Sequence, residues 1–393
     1  MEEKHFNPMS FPKTAGIVII GGGIMGASVA YHLARKGCKS VVLLERDAFF
    51  GMESTAKCAG GIRYHFETEI NIRLSLLSLA MFDRFEEELG QPIDLRKCGY
   101  LFVLTQEKDV HEFRKQMELQ KSLGVKTEWL AGDEVRKRLP LMNFPDALGG
   151  LWGPDDGLAD PNGVVQGYVR GATRSGAACL TDVEVKGIRL AKGRIEGVQT
   201  SAGDISCEAV VNCAGAWAAE IGRMAGIEIP VVPSRRQVLV TTAIPELPAD
   251  FPFVADFSKH LYFHREGRGL LSGMSNPSQP PGFDQSIDED WELTHLEAAA
   301  ERMPLLENAG IANHWAGLYE ITPDAHPILG GVEEVAGFFC LAGFSGHGFM
   351  HGPGAGLLVA EEIMDGKART VDISCLHLSR FKCGRPLKEY AVI

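Results

Sequence analysis

The stretch Gly16-Ile17-Val18-Ile19-Ile20-Gly21-Gly22-Gly23-Ile24-Met25-Gly26 decides the fold of this chain. Its β-branched residues do not alternate with polar ones, which predicts a strand buried on both faces. A helix over residues 24–36 follows, and Gly37 ends it. The glycines have the spacing G-x-G-x-x-G, which permits a tight turn, close approach of a pyrophosphate and packing of the helix on the strand. A diphosphate is therefore expected at the helix N-terminus, where free N–H groups favour an anion. A glycine-rich turn without a ligand is the alternative.

An acidic residue follows the second predicted strand. Residues 40–44 are mostly apolar, and the strand ends at Glu45, about 20 residues after the glycines, where a ribose ligand is expected. A carboxylate at this position accepts a hydrogen bond from a ribose hydroxyl and would repel a 2′-phosphate, so FAD or NAD is favoured over NADP. Glycine-rich strand-to-helix turns recur near residues 215 and 346. Three such turns favour the longer FAD, with simple α/β packing as the alternative.

Composition limits the class of protein. The 393 residues are 45% hydrophobic and 23% charged, which is typical of a globular protein with two packed domains. The net charge of −12 argues against nucleic-acid binding, which needs a basic face. The nine cysteines contain no C-x-x-C pair, so we expect reduced thiols, a cytoplasmic location and no metal site. Residues 16–34 lack charge but hold five glycines, and we expect neither a signal peptide nor a transmembrane span.

The remaining pattern predicts an alternation of helices and strands. Helices are expected over residues 66–90, 106–123, 163–178 and 291–302. Strands are expected over residues 97–104, as a pair over 181–200, repeatedly within 231–275, and over 338–341 before a helix that ends near residue 365. Residues 208–217 predict a strand, a turn and a helix start. Proline, glycine and aspartate punctuate residues 140–161, as in a crossing between domains.

Two later motifs carry a family resemblance. Gly343-Phe344-Ser345-Gly346-His347-Gly348-Phe349, together with Tyr319-x-x-Thr322-Pro323-Asp324, resembles the D-amino-acid oxidase superfamily of flavoproteins. Within it, the chain is similar to the branch of monomeric sarcosine oxidase, sarcosine oxidase β subunits and the β subunit of dye-linked L-proline dehydrogenases. Ser54-Thr55 and Gly60-Gly61-Ile62-Arg63 belong to the same resemblance, which extends from Gly16 to about Glu389.

The resemblance implies an α/β fold like that of p-hydroxybenzoate hydroxylase. A Rossmann-like FAD-binding domain is then built from the discontinuous segments 15–90, 145–228 and 325–375. A substrate domain with a mixed β-sheet comprises residues 91–144 and 229–324. Residues 1–14 form a leader and residues 376–393 a C-terminal tail.

The same resemblance assigns the contacts to FAD. The residues are Gly21, Gly23, Gly26, Glu45, Arg46, Ser54, Thr55, Gly61, Val183, Ala214, Gly215, Trp217, Gly317, Gly346, His347, Gly348 and Met350. The cysteine that carries covalent flavin in sarcosine oxidases corresponds to Gly317. FAD is therefore expected to bind non-covalently.

The substrate side is assigned in the same way, to Arg63, Tyr262, His347, Met350 and His65. In sarcosine oxidases the arginine of an Ile-Arg pair holds the substrate carboxylate, and a planar guanidinium suits that task; a surface salt bridge is the alternative for Arg63. Tyr262 matches an active-site tyrosine. Met350 replaces a second, cationic carboxylate ligand, and an active-site histidine corresponds to Ser275. His65 either faces the site or is structural.

The expected reaction is FAD-dependent oxidation of the C–N bond of a small secondary or N-methyl amino acid, of the sarcosine, dimethylglycine or proline type. A hydride equivalent passes to flavin N5, and the imine is then hydrolysed. A deaminating oxidase of primary amino acids, including D-amino acids, and an electron-relay or assembly subunit are the alternatives. Leu271 replaces a lysine that promotes the reaction of sarcosine oxidase with oxygen. A dye or a partner subunit, within a hetero-oligomer, is therefore the expected electron acceptor.

Overall fold

The computed structural model describes residues 11–390. The first half of the chain forms β1 (Ile17–Ile20), α1 (Ile24–Arg35), β2 (Val41–Leu44), β3 (Gly61–Ile62), α2 (Glu69–Phe82), α3 (Phe85–Leu89), β4 (Tyr100–Leu104), α4 (Glu107–Ser122), β5 (Glu128–Ala131), α5 (Gly132–Arg138), β6 (Gly149–Gly153), β7 (Gly157–Leu158), α6 (Pro161–Arg174) and β8 (Ala178–Leu180). The second half forms β9 (Val185–Ala191), β10 (Arg194–Thr200), β11 (Gly203–Ser206), β12 (Ala209–Asn212), α7 (Ala218–Met224), β13 (Val232–Thr241), β14 (Phe253–Asp256), β15 (Leu261–Glu266), β16 (Gly269–Met274), α8 (Glu289–Arg302), β17 (Ile311–Ile321), β18 (Ile328–Gly331), β19 (Phe338–Ala342), α9 (Gly348–Asp365) and α10 (Ser379–Lys382).

A six-stranded sheet carries the first glycine-rich turn. Its strand order is β18-β19-β12-β1-β2-β8, and its neighbouring strands are parallel except for β18 and β19. The side chains of β1 alternate between two cores. Ile17 and Ile19 pack with residues of α1, α6 and α9, whereas Val18 and Ile20 pack with residues of β10 and α7. Burial on both faces explains why β1 is apolar without alternation.

An eight-stranded mixed sheet forms the second layer. Its order is β17-β13-β16-β15-β14-β4-β6-β5, and the pair β14 and β4 is parallel while the other pairs are antiparallel. In β4, Leu101 and Val103 pack in the core that includes α5 and α8, and Phe102 packs in the core that includes α4. This architecture agrees with the predicted α/β fold with a mixed second sheet.

One strand departs from the predicted division of the chain. All strands of the six-stranded sheet fall within residues 15–90, 145–228 and 325–375, but β6 also lies in the second of these segments. It pairs between β4 and β5 in the eight-stranded sheet. The glycines of this stretch predict a crossing between domains and not a strand. In the structure, Gly149 leaves room for the ring of Trp129, which a Cβ would overlap. β6 therefore belongs to the eight-stranded sheet, although the predicted division places it in the segment 145–228.

Two further differences from prediction have packing causes. The helix expected over residues 66–90 is divided into α2 and α3, because Phe85 packs edge-on against Tyr168 with ring centroids 5.0 Å apart. The sequence does not predict strand β17, because this strand lies at the edge of its sheet. Asn313 and His314 in its first half are exposed, so the strand lacks the apolar alternation of a buried strand.

The N-terminal leader is described only in part. Residues 1–10 lie outside the described residues, as do residues 391–393. Thr14 forms an isolated bridge with Ser206 beside β11. None of the helices between residues 11 and 390 combines the length and hydrophobicity needed to cross a membrane.

The predicted C-terminal tail packs against the body of the protein. The guanidinium of Arg380 donates to both carboxylate oxygens of Asp324, at 2.8 and 3.0 Å. The carboxylate of Glu389 accepts hydrogen bonds from the backbone N–H groups of Glu67 and Thr68, at 2.8 and 3.3 Å. The side chain of Thr68, the N-cap residue of α2, makes no capping hydrogen bond. Glu389 therefore accepts from the N-cap N–H of α2, one of the donors that the helix itself leaves without a partner.

Candidate active site

One cleft brings together nearly all the residues that the sequence predicts to bind FAD or substrate. It runs along the ends of β1 and β2, the N-termini of α1 and α9, and the facing side of the eight-stranded sheet. The predicted residues that line it are Gly21, Gly23, Glu45, Arg46, Ser54, Thr55, Gly61, Arg63, Val183, Ala214, Gly215, Trp217, Tyr262, Gly317, Gly346, His347, Gly348 and Met350. Gly26 and His65 do not line it.

The glycine-rich turn between β1 and α1 has the shape that a diphosphate requires. Gly21 has φ 105°, and a Cβ there would overlap the carbonyl of Cys213, whereas a Cβ at Gly26 would overlap the carbonyl oxygen of Gly21. Gly26 therefore serves the packing of helix on strand. Gly23, the N-cap residue of α1, provides no side-chain cap; Thr55 Oγ1 accepts from the N–H of Ile24 at 3.2 Å. A helix N-terminus that opens on a cleft in this way fits the diphosphate of FAD.

A carboxylate and an aromatic ring mark the next part of the cleft. Glu45 accepts hydrogen bonds from the backbone N–H groups of Gly22, at 2.7 Å, and Asp47, at 2.9 Å. Burial raises the pKa of Glu45, although these two N–H groups oppose the shift. The guanidinium of Arg46 lies 3.8 Å from the ring centroid of Trp217. The carboxylate of Glu45 is thus an acceptor that suits ribose hydroxyls. It lies beside the flat pair of Arg46 and Trp217, which suits stacking of a nucleotide base.

The loop after β2 connects the cleft to the eight-stranded sheet. Ser54 Oγ donates to the carbonyl of Leu318 at 2.7 Å, and Trp315 Nε1 donates to the carbonyl of Lys57 at 3.0 Å. A Cβ at Gly317 would lie 2.9 Å from Cβ of Lys57. The loop is thereby fixed against β17, and Gly317 supplies no sulfur for a covalent flavin.

Arg63 provides a buried positive charge at one end of the cleft. It follows β3 and is 5% exposed. Its Nη1 donates to the carbonyl oxygen of His65, and its guanidinium lies 3.9 Å from the ring centroid of Phe66. Burial lowers the pKa of Arg63, while Tyr100 and Glu389 oppose the shift. An arginine stays protonated in proteins, so the cleft contains a planar, charged donor.

His65 is not among the residues that line the cleft, and its contact with the substrate stays a prediction. Its Nδ1 lies 2.5 Å from Oδ2 of Asp156, and both side chains are buried. Asp156 Oδ1 also accepts from the N–H of Tyr64 at 3.0 Å. The carboxylate of Asp156 therefore fixes the ring of His65, whose carbonyl oxygen positions the guanidinium of Arg63.

His347 and Met350 enter the cleft from the start of α9. Within residues 11–390, neither ring nitrogen of His347 has a hydrogen-bond partner, and the side chain is 2% exposed. Burial, His351 and Arg63 hold the pKa of His347 well below its usual value. The imidazole is thus neutral at neutral pH, and Met350 adds a second uncharged side chain.

Aromatic side chains of the eight-stranded sheet form the wall of the cleft beside Arg63. Phe253 stacks on Tyr100 with ring centroids 4.2 Å apart, and on Tyr262 at 5.5 Å. Burial raises the pKa of both Tyr262 and Tyr319, so their hydroxyls remain protonated donors at neutral pH. Tyr100 and Phe253 are lining residues that the sequence does not identify, because their strands show only an apolar run.

Two positions that the resemblance singles out lie outside the cleft lining. Leu271, in β16, pairs with His264 of β15 and is buried, and Ser275 follows the same strand. Neither residue lines the cleft. No cluster of three His, Cys, Asp or Glu side chains among residues 11–390 is arranged to hold a metal ion.

Glu320 and Arg236 also line the cleft, although the sequence gives no signal for either. Glu320 Oε2 accepts from the N–H of Gly343 at 2.9 Å. Burial raises the pKa of Glu320 to about 7, although the N–H groups of Gly343 and Phe344 oppose the shift. A carboxyl group that exchanges a proton near neutral pH therefore lies beside the last glycine-rich turn.

The chain is similar to several known proteins. The family model described as DAO, FAD dependent oxidoreductase, matches residues 16–362. Human mitochondrial sarcosine dehydrogenase is 34% identical over 372 residues, which cover 91% of this chain and 40% of that protein. Mouse mitochondrial dimethylglycine dehydrogenase is 31% identical over 389 residues, which cover 93% of this chain and 44% of that protein. The chain thus spans less than half the length of these two relatives.

A solved structure matches nearly the whole chain. The crystal structure of L-proline dehydrogenase from P. horikoshii is 33% identical in sequence and superposes with a TM-score of 0.89. The match covers 96% of this chain and 100% of that one.

Proposed function

Because the chain belongs to the DAO family of FAD dependent oxidoreductases, we propose that it oxidises the C–N bond of a small secondary or N-methyl amino acid, of the sarcosine, dimethylglycine or proline type. FAD is the cofactor of the family. One observation carries the choice of substrate: the buried guanidinium of Arg63 lies in the same cleft as the glycine-rich turn that fits the FAD diphosphate. An amino acid is a ligand whose carboxylate such a group would hold.

Arg63 binds the substrate carboxylate and fixes the carbon that is oxidised. The planar fork of donors pairs with both carboxylate oxygens. The carbonyl of His65 and the ring of Phe66 hold the guanidinium of Arg63 in one position. Such positioning contributes to the rate by removing the entropy of alignment.

The aromatic wall and His347 set the protonation state of the substrate. FAD, when bound, supplies the acceptor for the hydride equivalent. Tyr262 and Tyr319 stay protonated and His347 stays neutral, so these groups add no charge beside the amine. A neutral imidazole does not repel a substrate ammonium, and the uncharged surroundings favour loss of the ammonium proton to solvent before oxidation. No dedicated base for the C–H bond is then required.

We also propose that a dye-like or protein acceptor, rather than oxygen, reoxidises the enzyme, within a hetero-oligomer. Leu271 is apolar and lies buried outside the cleft lining, so this position brings no charge to a nascent superoxide. The free thiols of all nine cysteines support a reducing compartment such as the cytoplasm.

The decisive experiment is anaerobic titration of the purified flavoprotein with sarcosine, dimethylglycine, L-proline and a set of primary D-amino acids. Bleaching of the flavin absorbance by one of the first three compounds is the expected result. Selective bleaching by primary amino acids would instead identify a deaminating oxidase. If no amine bleaches a flavin that dithionite still reduces, the proposed activity is wrong and an electron-relay role is favoured.

A further inference from the structure

A second arginine faces the cleft from the eight-stranded sheet. Arg236 lies in β13 and lines the cleft. Its Nη1 donates to Ser234 Oγ at 2.8 Å and to the carbonyl of Arg235 at 2.9 Å. Its guanidinium lies 4.9 Å from the ring centroid of Tyr319. These contacts orient the side chain but do not neutralise it.

The contrast with its neighbour shows that the charge of Arg236 is uncompensated. Arg235 forms ion pairs with Asp284, at 3.0 Å, and Asp288, at 3.2 Å. Arg236 takes part in no ion pair within residues 11–390, and its Nε is buried without an acceptor there. Arg236 is partly buried, and a cation whose Nε is shielded from water without an acceptor or counter-charge is costly. A ligand anion would remove that cost.

The position of Arg236 points to the substrate rather than the FAD diphosphate. The diphosphate fits the start of α1, whereas the guanidinium of Arg236 lies 4.9 Å from the ring centroid of Tyr319 and that of Arg63 lies 5.9 Å from the ring centroid of Tyr100. Burial raises the pKa of Tyr319, and the guanidinium groups of Arg236 and Arg63 both oppose this shift. Arg236 opposes the shift of Tyr262 as well. Both cations therefore act on the same aromatic wall.

We propose that Arg236 binds a second carboxylate of the substrate, so that the preferred substrates are secondary amines carrying two carboxylates, with the first on Arg63. This inference rests on the proposed amine oxidation, since it names the class of amine. Met350 stands where sarcosine oxidases have a second cation that binds the substrate carboxylate. Arg63 therefore binds the first carboxylate alone. The planar fork of Arg236 then provides a separate carboxylate site on β13 of the eight-stranded sheet.

The test separates binding from oxidation by using thioether analogues, in which sulfur replaces the amine nitrogen. Thiodiacetate carries two carboxylates and methylthioacetate one. Dissociation constants for the oxidised holoenzyme are measured from the perturbation of the flavin spectrum. Wild type should bind thiodiacetate at least about tenfold more tightly, and Arg236→Gln should abolish this preference while leaving methylthioacetate within about twofold.

Arg265→Gln is the matched control, because it removes the same charge from β15, which is separated from β13 by one strand of the same sheet. The side chain of Arg265 bonds the carbonyl of Gly267 and does not line the cleft. Equal affinity of wild type for both analogues would overturn the inference. Equal weakening of both analogues in Arg236→Gln, or loss of FAD from that variant, would also overturn it and would assign Arg236 to the cofactor.

The oxidation test is read separately. N-(carboxymethyl)glycine and sarcosine are compared as reductants of the flavin. A preference for the dicarboxylate is expected in wild type and not in Arg236→Gln. If the analogues show the dicarboxylate preference but no amine reduces the flavin, the proposed activity fails and the second carboxylate site stands.

Discussion

Replacing Glu320 by Gln should stabilise the FAD-free protein at alkaline pH and leave it unchanged at acidic pH. Burial raises the pKa of this carboxyl from 4.5 to about 7. The folded state therefore holds the proton more tightly than the unfolded chain does. It follows that the free energy of unfolding falls as pH rises from about 4.5 to about 7, and that the full loss persists at higher pH.

The size of the effect follows from the two pKa values. The difference between 4.5 and about 7 corresponds to about 3 kcal/mol, since one pKa unit is about 1.4 kcal/mol. Gln cannot ionise, and its carbonyl oxygen still accepts from the N–H of Gly343. With an unfolding entropy of about 2.1 cal/mol/K per residue, 3 kcal/mol raises Tm by roughly 4 °C in a chain of 393 residues. The neighbouring titratable groups that interact with Glu320 are the buried thiols of Cys213 and Cys340.

The assay is thermal unfolding of FAD-free wild type and Glu320→Gln at about pH 5 and about pH 8. FAD is removed because a ligand in the cleft would change the surroundings of the carboxyl group. Glu297→Gln is the control, because Glu297 is an exposed carboxylate in α8. A Tm difference that is the same at both pH values, or absent at the higher one, would refute the reasoning.

Three further results are expected. Arg63→Ala should lower the rate of flavin reduction at low substrate concentration at least about tenfold, and Arg63→Lys should recover little, because an ammonium lacks the planar fork; normal rates in both variants would exclude Arg63 as the carboxylate anchor. Glu45→Ala should lower the FAD content after dialysis, because the ribose acceptor is lost, and an unchanged content would contradict that assignment. Leu271→Lys should accelerate reoxidation of the reduced enzyme by air relative to a dye, because a cation stabilises developing superoxide; an unchanged rate with oxygen would count against the alignment.

The family, the fold class and the cofactor could be predicted because their signals are contiguous in the chain. Several required residues lie together in the turn from Gly21 to Gly26 and in the motif around His347. Glu45 lies at the expected distance from the first of these motifs. The predicted α/β fold with an FAD-binding domain, the membership of the flavoprotein family and FAD as cofactor are confirmed by the comparisons.

The residues that prediction missed depend on strand register and on distant partners. Arg235 and Arg236 are adjacent, and only the pairing of β13 with its neighbours decides which of them enters the cleft. A shift of one residue would exchange the two side chains. The environment of His65 also depends on a distant partner. Asp156, whose carboxylate fixes its ring, lies 91 positions further along the chain.

The hydrogen bonds that Glu389 accepts at the start of α2 have a consequence for synthesis of the protein. The bond partner of its carboxylate, the N–H of Glu67, lies 322 positions earlier in the chain. A ribosome adding roughly 5 to 20 residues per second needs tens of seconds between the two. During that interval the N–H groups of Glu67 and Thr68, just before the first turn of α2, lack the carboxylate that accepts their hydrogen bonds. These contacts between the two ends of the described chain therefore form only once Glu389 has left the ribosome.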